Sequence, residues 1–427
     1  MKHFMLIWFG ELISCIGSGM TAFAVSVYVY QLTGSAVWVS ITTLLAYLPT
    51  ILLNPVGGIL ADRYDRRLMM IIGDAFSAIG LLFILIAMQT GHTGVLPICI
   101  GITISAIFVS LLEPAYRATI TDLLTDQEYA KASGLVQMAN SSKFLISPVL
   151  AGLILAFSNI QTILIIDIAT FFVTVFTVFT VKKHIKSEKK VRKETSFRKE
   201  MKEGMKSITG NKVVKKLVIL MAFVCFFIAF LQMLMTPMIL SFADEKTLGF
   251  MESISAIGML IGSVVISALN IKKNHSGILK VSLMFTGIFM ALVGTTVNIP
   301  LIIVYCMLFF VALPFVNTCA DVLVRKNIPN DLQGRAWGII SVLTQTGFLI
   351  AYAISGVLAD FIFNPMLEEN GFLSGSLGKI IGTGEGRGIG LMLILAGITL
   401  FVFAFVFSMG KETEKEKINH YELVDQE

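Results

Sequence analysis

Apolar segments of about 20 residues recur along nearly the whole chain, and they restrict its fold more than any other feature. A helix of that length crosses the hydrocarbon core of a bilayer, which is about 30 Å thick. Backbone amides in lipid must be hydrogen-bonded within the protein, so such segments form helices or a closed barrel. Because the segments do not alternate with a period of two residues, we predict helices. The composition agrees, since only 14% of the 427 residues are charged, against about 25% in soluble proteins.

The pattern predicts an all-α integral membrane protein with twelve spans. The predicted spans lie near residues 5–30, 37–60, 68–90, 95–121, 131–157, 160–181, 213–243, 248–270, 277–296, 299–324, 336–363 and 388–409. The first span resembles a secretory signal, and AFA at 22–24 resembles its cleavage site. Its apolar stretch exceeds the 7–15 residues of a signal core, so we expect an uncleaved helix.

Basic residues predict the orientation of these spans. With both termini in the cytoplasm, only Lys246, Lys379 and Arg387 of the 33 basic residues fall in outer loops. Arg117 and Lys143 fall within spans, and the others lie at the cytoplasmic face, as expected for a bacterial plasma-membrane protein. The net charge of +5 therefore indicates anchoring beside anionic lipid rather than binding of nucleic acid.

A basic segment divides the spans into two sets of six. We predict an N-terminal six-helix bundle at 1–182, a cytoplasmic basic linker at 183–212, a C-terminal six-helix bundle at 213–410 and a cytoplasmic tail at 411–427. A shift of 204 residues places LTDQEYAKASGL (124–135) over IPNDLQGRAWGI (328–339), and Gly58 over Gly262. Two parallel repeats of this kind are typical of secondary transporters, which we expect to act as monomers.

The segment GGILADRYDRR (57–67) places five charged residues between two apolar spans. It resembles the loop signature of the major facilitator superfamily, matched here by Gly58, Asp62, Arg63, Asp65, Arg66 and Arg67. Asp65 stands where the family usually has glycine, a variant similar to the macrolide-efflux branch of drug–proton antiporters. The stretches at 113–134, 322–339 and 382–392 resemble the same branch.

Anchoring by positive charge accounts for the three arginines of this segment but not for Asp62. An aspartate fixed there could cap a neighbouring helix N-terminus, and the arginines could grip Asp122 at the end of the fourth span. The resemblance implies that the loop latches the two halves together in the outward-facing state. Ile266 occupies the shifted position of Asp62, which predicts a one-sided latch.

The fifth span contains SPVLAG (147–152), which resembles a degraded antiporter signature. Pro148 removes a helix hydrogen bond and predicts a kink, while Ser147 and Gly152 permit close packing. A simple packing kink, as found in any transporter, is the alternative.

Charged side chains within spans each cost about 2.5–3.5 kcal/mol on insertion scales, so function is their default explanation. The charged residues that we single out within the spans are Glu11, Asp74, Glu113, Arg117, Lys143, Asp167, Glu252 and Asp321. Asp74, Glu252 and Asp321 lie near span ends, where solvation is an equal explanation, and Asp167 is left open. Glu11, Glu113, Arg117 and Lys143 are expected at similar depth, forming a network in which Glu11 or Glu113 loads a proton that competes with substrate or Lys143. A permanently ionised structural network is the alternative.

Substrate chemistry is poorly specified, although Gln232, Met233 and Met235 in the seventh span suit a cavity for amphipathic ligands. No catalytic, metal or cofactor motif is recognised, and the absence of a P-loop pattern argues against direct use of ATP. We therefore predict a proton-coupled exporter of small amphipathic, macrolide-like molecules and not an enzyme. The alternatives are an exporter of an endogenous metabolite or siderophore, a membrane enzyme such as a lipid transferase, and a non-transporting receptor.

Overall fold

The computed structural model describes residues 2–91, 93–124, 128–181, 205–269, 274–328 and 332–406, which are helical and contain no strand. The major helices are α1 (Lys2–Thr33), α2 (Ala36–Arg63), α3 (Arg66–Gln89), α4 (Val95–Leu123), α5 (Tyr129–Leu145), α6 (Ser147–Phe157), α7 (Ile160–Val181), α8 (Lys212–Leu240), α9 (Glu245–Leu269), α10 (His275–Gly294), α11 (Ile299–Asn327), α12 (Gln333–Leu358), α13 (Asn364–Leu367), α14 (Gly378–Ile381) and α15 (Arg387–Val406). A π-helical turn, Ala359–Phe363, joins α12 to α13.

Twelve segments of the described residues are long and apolar enough to cross a membrane, and each overlaps a predicted span. The twelve-helix, all-α prediction is therefore confirmed, and the chain is a multi-pass membrane protein. The end of the second span differs from the prediction. Helix α2 continues to Arg63, so only Tyr64 and Asp65 lie between α2 and α3. Asp62 and Arg63 therefore belong to the last turn of a helix rather than to a loop.

Contacts group the described residues into two compact units. The first lies within Met1–Arg192, Phe230–Ala256 and Leu349–Ile389, and the second lies within Lys193–Ala229, Ile257–Phe348 and Gly390–Glu427. This grouping follows contacts rather than sequence repeats, so the predicted division into six and six helices stays a prediction. The predicted linker 183–212 is described only from residue 205 onward, and the predicted tail 411–427 lies outside the described residues.

In the first unit, α1 packs along α7, and α4 packs against both α2 and α3. Small residues allow the close approach of α3 and α4. A side chain at Gly80 would collide with the Gly101 carbonyl, and one at Gly101 would collide with Ile84. Such close contacts hold helices together in lipid, because lipid tails are themselves apolar and no hydrophobic force drives the helices to associate.

One packing contact recurs in the two units and supports the internal repeat. A Cβ atom at Gly262 in α9 would lie 3.1 Å from Pro314 Cγ in α11, and one at Gly57 in α2 would lie 3.2 Å from Pro114 Cγ in α4. The 204-residue shift, which was set by matching polar loops, pairs Gly262 with Gly58 instead. In this contact the glycines are 205 residues apart in the sequence and the prolines are 200 apart, so neither pair follows the 204-residue shift of the loops.

Candidate functional site

A small polar cavity lies in the first unit, where α1, α4 and α5 meet. Its volume is about 20 Å³, which is enough for one water molecule. The cavity is lined by Glu11, Glu113, Tyr116, Val136, Ala139 and Asn140. Two of the four members of the predicted charged network therefore line the same space.

The Glu11 carboxylate has two differently placed oxygens. Its Oε1 accepts a weak hydrogen bond from the Cys15 thiol at 3.6 Å, while its Oε2 is buried and has no hydrogen-bond partner among the described residues. The Tyr116 hydroxyl is likewise buried without a partner in that part of the chain. Buried polar atoms without partners are costly, so this cavity is suited to a proton or to a polar ligand group.

Lys143 and Glu113 interact electrostatically with Glu11, so the structure brings three of the predicted network residues together. Lys143 lies in the last turn of α5, and the described residues leave its side chain exposed. Arg117 lies in α4, and its side chain is outside the described set. The geometry therefore combines two carboxylates and an accessible cation, whose roles remain predictions.

Tyr116 and Asn140 belong to this site but are absent from the sequence prediction. Each lies three residues from a predicted member, Tyr116 after Glu113 and Asn140 before Lys143. Residues three apart share a helix face, so this spacing was an available signal. Neutral polar residues do not stand out in an apolar span as charged residues do.

Two further carboxylates lie behind the cavity, on α3 and α7. Asp74 is only 3% exposed, its Oδ2 has no hydrogen-bond partner among the described residues, and Glu11 and Asp167 act on it as like charges. Asp167 is instead well bonded, accepting hydrogen bonds from Thr21 at 2.6 Å and from Ser18 at 3.4 Å. Asp167 therefore ties α7 to α1. The sequence left the role of this residue open, and the structure shows that it makes a hydrogen-bonded contact between helices.

We expect Asp167→Ala to lower the free energy of unfolding by about 1–3 kcal/mol, because the buried Thr21 hydroxyl loses its acceptor. Thermal unfolding of the purified protein in detergent measures this effect. Asp167→Asn retains one acceptor oxygen and should lose less stability, and the exposed Glu368→Gln serves as the control. An alanine variant as stable as the wild type would contradict the assigned tie.

The fifth span is interrupted at Ile146, two residues before Pro148. Ser147 at the break donates from Oγ to the Ile16 carbonyl at 2.9 Å, which fixes α6 against α1. A side chain at Gly249 in α9 would collide with the Pro148 carbonyl. The proline segment is therefore a tight contact point with both α1 and α9.

The first turn of α9 completes this contact. A Cβ atom at Gly152 would lie 2.8 Å from the Glu245 carbonyl, and Gln31 Nε2 in α1 donates to Glu245 Oε2 at 3.4 Å. Asp244 precedes the helix and accepts from the Thr247 amide at 2.8 Å. Hydrogen bonds from Thr247 hold the pKa of Asp244 below its ordinary value.

The predicted latch is described only in part. Gly58, Asp62 and Arg63 lie in α2 and Asp122 lies in α4, but nothing is described of their side chains. Asp65 is the N-cap of α3, where its Oδ1 accepts from the Arg67 amide at 3.0 Å. Arg67 is buried and Arg66 is half-buried. Asp65 therefore caps its own helix. The sequence comparison showed only that an aspartate replaces the usual glycine and did not indicate this role.

The weak substrate candidates of the seventh span lie in α8. Met233 and Met235 are buried, and Gln232 is half-buried. None of the three lines the cavity around Glu11. Their proposed contact with substrate therefore stays a prediction.

Comparison with known proteins decides the family. Residues 7–352 match the Major Facilitator Superfamily. This chain belongs to that superfamily. It is similar to macrolide efflux protein A of Streptococcus pyogenes, with 24% identity over 84% of this chain and 90% of the relative. It is also similar to the multidrug efflux pump Tap of Mycolicibacterium fortuitum, with 20% identity over 83% of this chain and 89% of the relative. The superfamily is one of transporters, so the chain is a transporter rather than an enzyme.

Solved structures support the same superfamily fold. The nucleoside transporter NupG superposes with a TM-score of 0.71 at 14% identity, over 96% of this chain and 100% of that one. A bacterial homologue of the human lysosomal transporter Spinster superposes with a TM-score of 0.72 at 12% identity, over 94% and 95% of the two chains. At identities this low, the structural likeness shows the fold alone and leaves the substrate open.

Proposed function

We propose that this protein is a secondary active transporter that exports amphipathic, drug- or macrolide-like small molecules in exchange for protons. The observation that carries the proposal is the polar cavity within the membrane-spanning first unit, where Glu11 and Glu113 lie beside Lys143. Carboxylates within spans mark proton and substrate pathways in membrane proteins. The names of the related macrolide and multidrug efflux proteins support export as the direction.

Coupling follows from competition at the cavity. When Glu11 holds a proton, its attraction for Lys143 disappears, and a cationic or polar substrate group loses its counter-charge. When the proton leaves, the carboxylate again favours a cation at the same place. A site that holds either a proton or the substrate exchanges one for the other when access alternates between the two sides.

The contacts of the fifth span suit a moving interface. Val149 donates its amide to Ser253 Oγ in α9 at 3.2 Å, and Gly152 and Gly249 allow the two backbones to approach closely. We propose that this contact separates when the outer side opens, and that the latch at Asp62 forms in that state. The proposed halves are the bundles 1–182 and 213–410.

The remaining parts of the proposal concern the cell. We place the protein in the plasma membrane of a bacterium as a monomer, with both termini in the cytoplasm and the basic segment beside anionic lipid. Labelling of single cysteines introduced before α1 and after α15 tests the orientation directly. Labelling of either position by an impermeant reagent in intact cells would contradict it.

Export is tested in a bacterial host that lacks its major drug pumps. Expression should lower the accumulation of at least one macrolide or amphipathic dye several-fold, and a protonophore should restore it. Export that persists with the protonophore would contradict proton coupling. If no compound of the panel is exported, the dedicated metabolite exporter replaces the drug exporter as the better proposal.

A further inference from the structure

A carboxylate from the eleventh span caps the start of α2. Asp360 lies in the π-helical turn after α12 and accepts three hydrogen bonds from the α2 N-terminus. Ser35 Oγ donates to its Oδ2 at 2.6 Å, the Ala36 amide donates to its Oδ1 at 3.1 Å, and the Val37 amide donates to its Oδ2 at 3.0 Å. Both segments belong to the first unit.

This cap is supplied by a distant part of the chain rather than by the helix itself. Ser35 is the N-cap residue of α2, yet its side chain makes no cap hydrogen bond to its own helix. It bonds Asp360 instead, 325 positions away in the sequence. The first amides of a helix lack internal partners and carry partial positive charge, which a carboxylate satisfies.

The π-helical turn gives Asp360 its position. The Asn364 amide donates to the Ala359 carbonyl, five residues earlier, instead of four as in an α-helix. One added residue per turn rotates the side chains that follow, and such turns are frequent at functional sites. The eleventh span thus departs from regular geometry where its carboxylate meets α2.

Below Asp360, contacts between the two helices extend from Ala36 to Tyr47 on α2 and from Gly356 to Tyr352 on α12. A Cβ atom at Gly356 would lie 2.5 Å from the Ala36 carbonyl. Ser40 Oγ and Ser355 Oγ lie 3.2 Å apart in a buried contact, and the rings of Tyr47 and Tyr352 lie 5.2 Å apart between centroids. These neighbours are small or neutral, so Asp360 contributes the charge-assisted contact of this seam.

We propose that Asp360 is an outer latch, a positioning residue that holds the outer ends of α2 and α12 together in the conformation described here and releases them in the opposite one. The inference rests on the proposed alternating access. A carboxylate then lies at each end of α2: Asp360 of the eleventh span bonds its N-terminus, and Asp62 is part of its own last turn. The two latches then favour opposite states.

Cross-linking tests the latch at the seam itself. In a variant whose five native cysteines are replaced, Ser40→Cys and Ser355→Cys should form a disulfide readily, because the two hydroxyl oxygens lie 3.2 Å apart. Adding Asp360→Ala should slow this cross-linking at least about fivefold, the change in population produced by losing a charge-assisted cap. The same substitution should increase labelling of Ser40→Cys by an impermeant maleimide. Glu369→Gln, an exposed acid in the following connector, is the matched control and should change neither rate.

Unchanged cross-linking and labelling in Asp360→Ala overturn the latch. If that variant does not reach the membrane, Ser35→Ala and Asp360→Asn decide, since each removes part of the cap and should shift both readouts in the same direction by a smaller factor. No shift in these milder variants also overturns it. The readouts report helix contact and not export, so a wild type that fails to export defeats the proposed function without deciding the latch.

Discussion

Glu11→Gln is expected to abolish proton-driven accumulation, while exchange of a neutral substrate without a gradient stays nearly intact because such a substrate needs no counter-charge. The substitution keeps the shape of the side chain and its contact with Cys15 but removes the titratable group facing the cavity. One proton exchanged for a neutral substrate supplies about 2.3 kcal/mol per 100 mV, which sustains a concentration ratio of about 50-fold. The variant should approach a ratio of one. Purified protein in proteoliposomes with an imposed proton gradient measures both quantities.

Glu113→Gln tests the second carboxylate of the cavity in the same assay. We expect a similar loss of proton-driven transport if Glu113 shares the proton with Glu11, across the cavity that both residues line. Asp321→Asn, a half-buried carboxylate in the second unit, is the control and should keep its coupling. If the pH dependence of transport is unchanged in both glutamine variants, the cavity is not the coupling site. The structural network would then be the better explanation.

Asp62→Asn is expected to reduce transport roughly 5- to 30-fold without reducing the amount of protein in the membrane. A carboxylate near a helix N-terminus contributes up to about 2 kcal/mol, and a loss of 1–2 kcal/mol changes a two-state ratio by that factor. Asp62 lies in the last turn of α2, and orientation depends on Lys and Arg rather than on Asp, so we expect insertion to be unaffected. Transport in everted vesicles, normalised to the protein present, measures the change.

Asp65 provides a matched control three residues further along the chain. Its Oδ1 caps α3 by accepting from the Arg67 amide, and asparagine serves as an N-cap about as well as aspartate. Asp65→Asn should therefore transport at nearly the normal rate. If the Asp62→Asn and Arg66→Ala variants also transport normally, the proposed latch at Asp62 is wrong.

The spans and the charged part of the site were predictable because each follows from a local rule. About 20 apolar residues are needed to cross a bilayer, so twelve such segments indicate twelve helices. A charge within one of them is expensive, which singles out Glu11, Glu113 and Lys143. Tyr116 and Asn140 were not predicted, because a neutral polar side chain costs little free energy to insert and the spans contain many such side chains.

The sequence by itself determined the fold class, the number of spans and the charged residues of the cavity, since hydrophobic length and the cost of charge act on each helix separately. Only the tertiary structure decided which carboxylates are bonded and to what. Asp167 is tied to Thr21 on α1, and Asp360 is bonded to the first amides of α2, 324 and 323 positions away. In the sequence these residues are two more aspartates near span ends. Their roles depend on which helices contact each other in the folded protein. Hydrophobic patterning determines which face of a helix avoids lipid, but it does not determine which helix packs against that face.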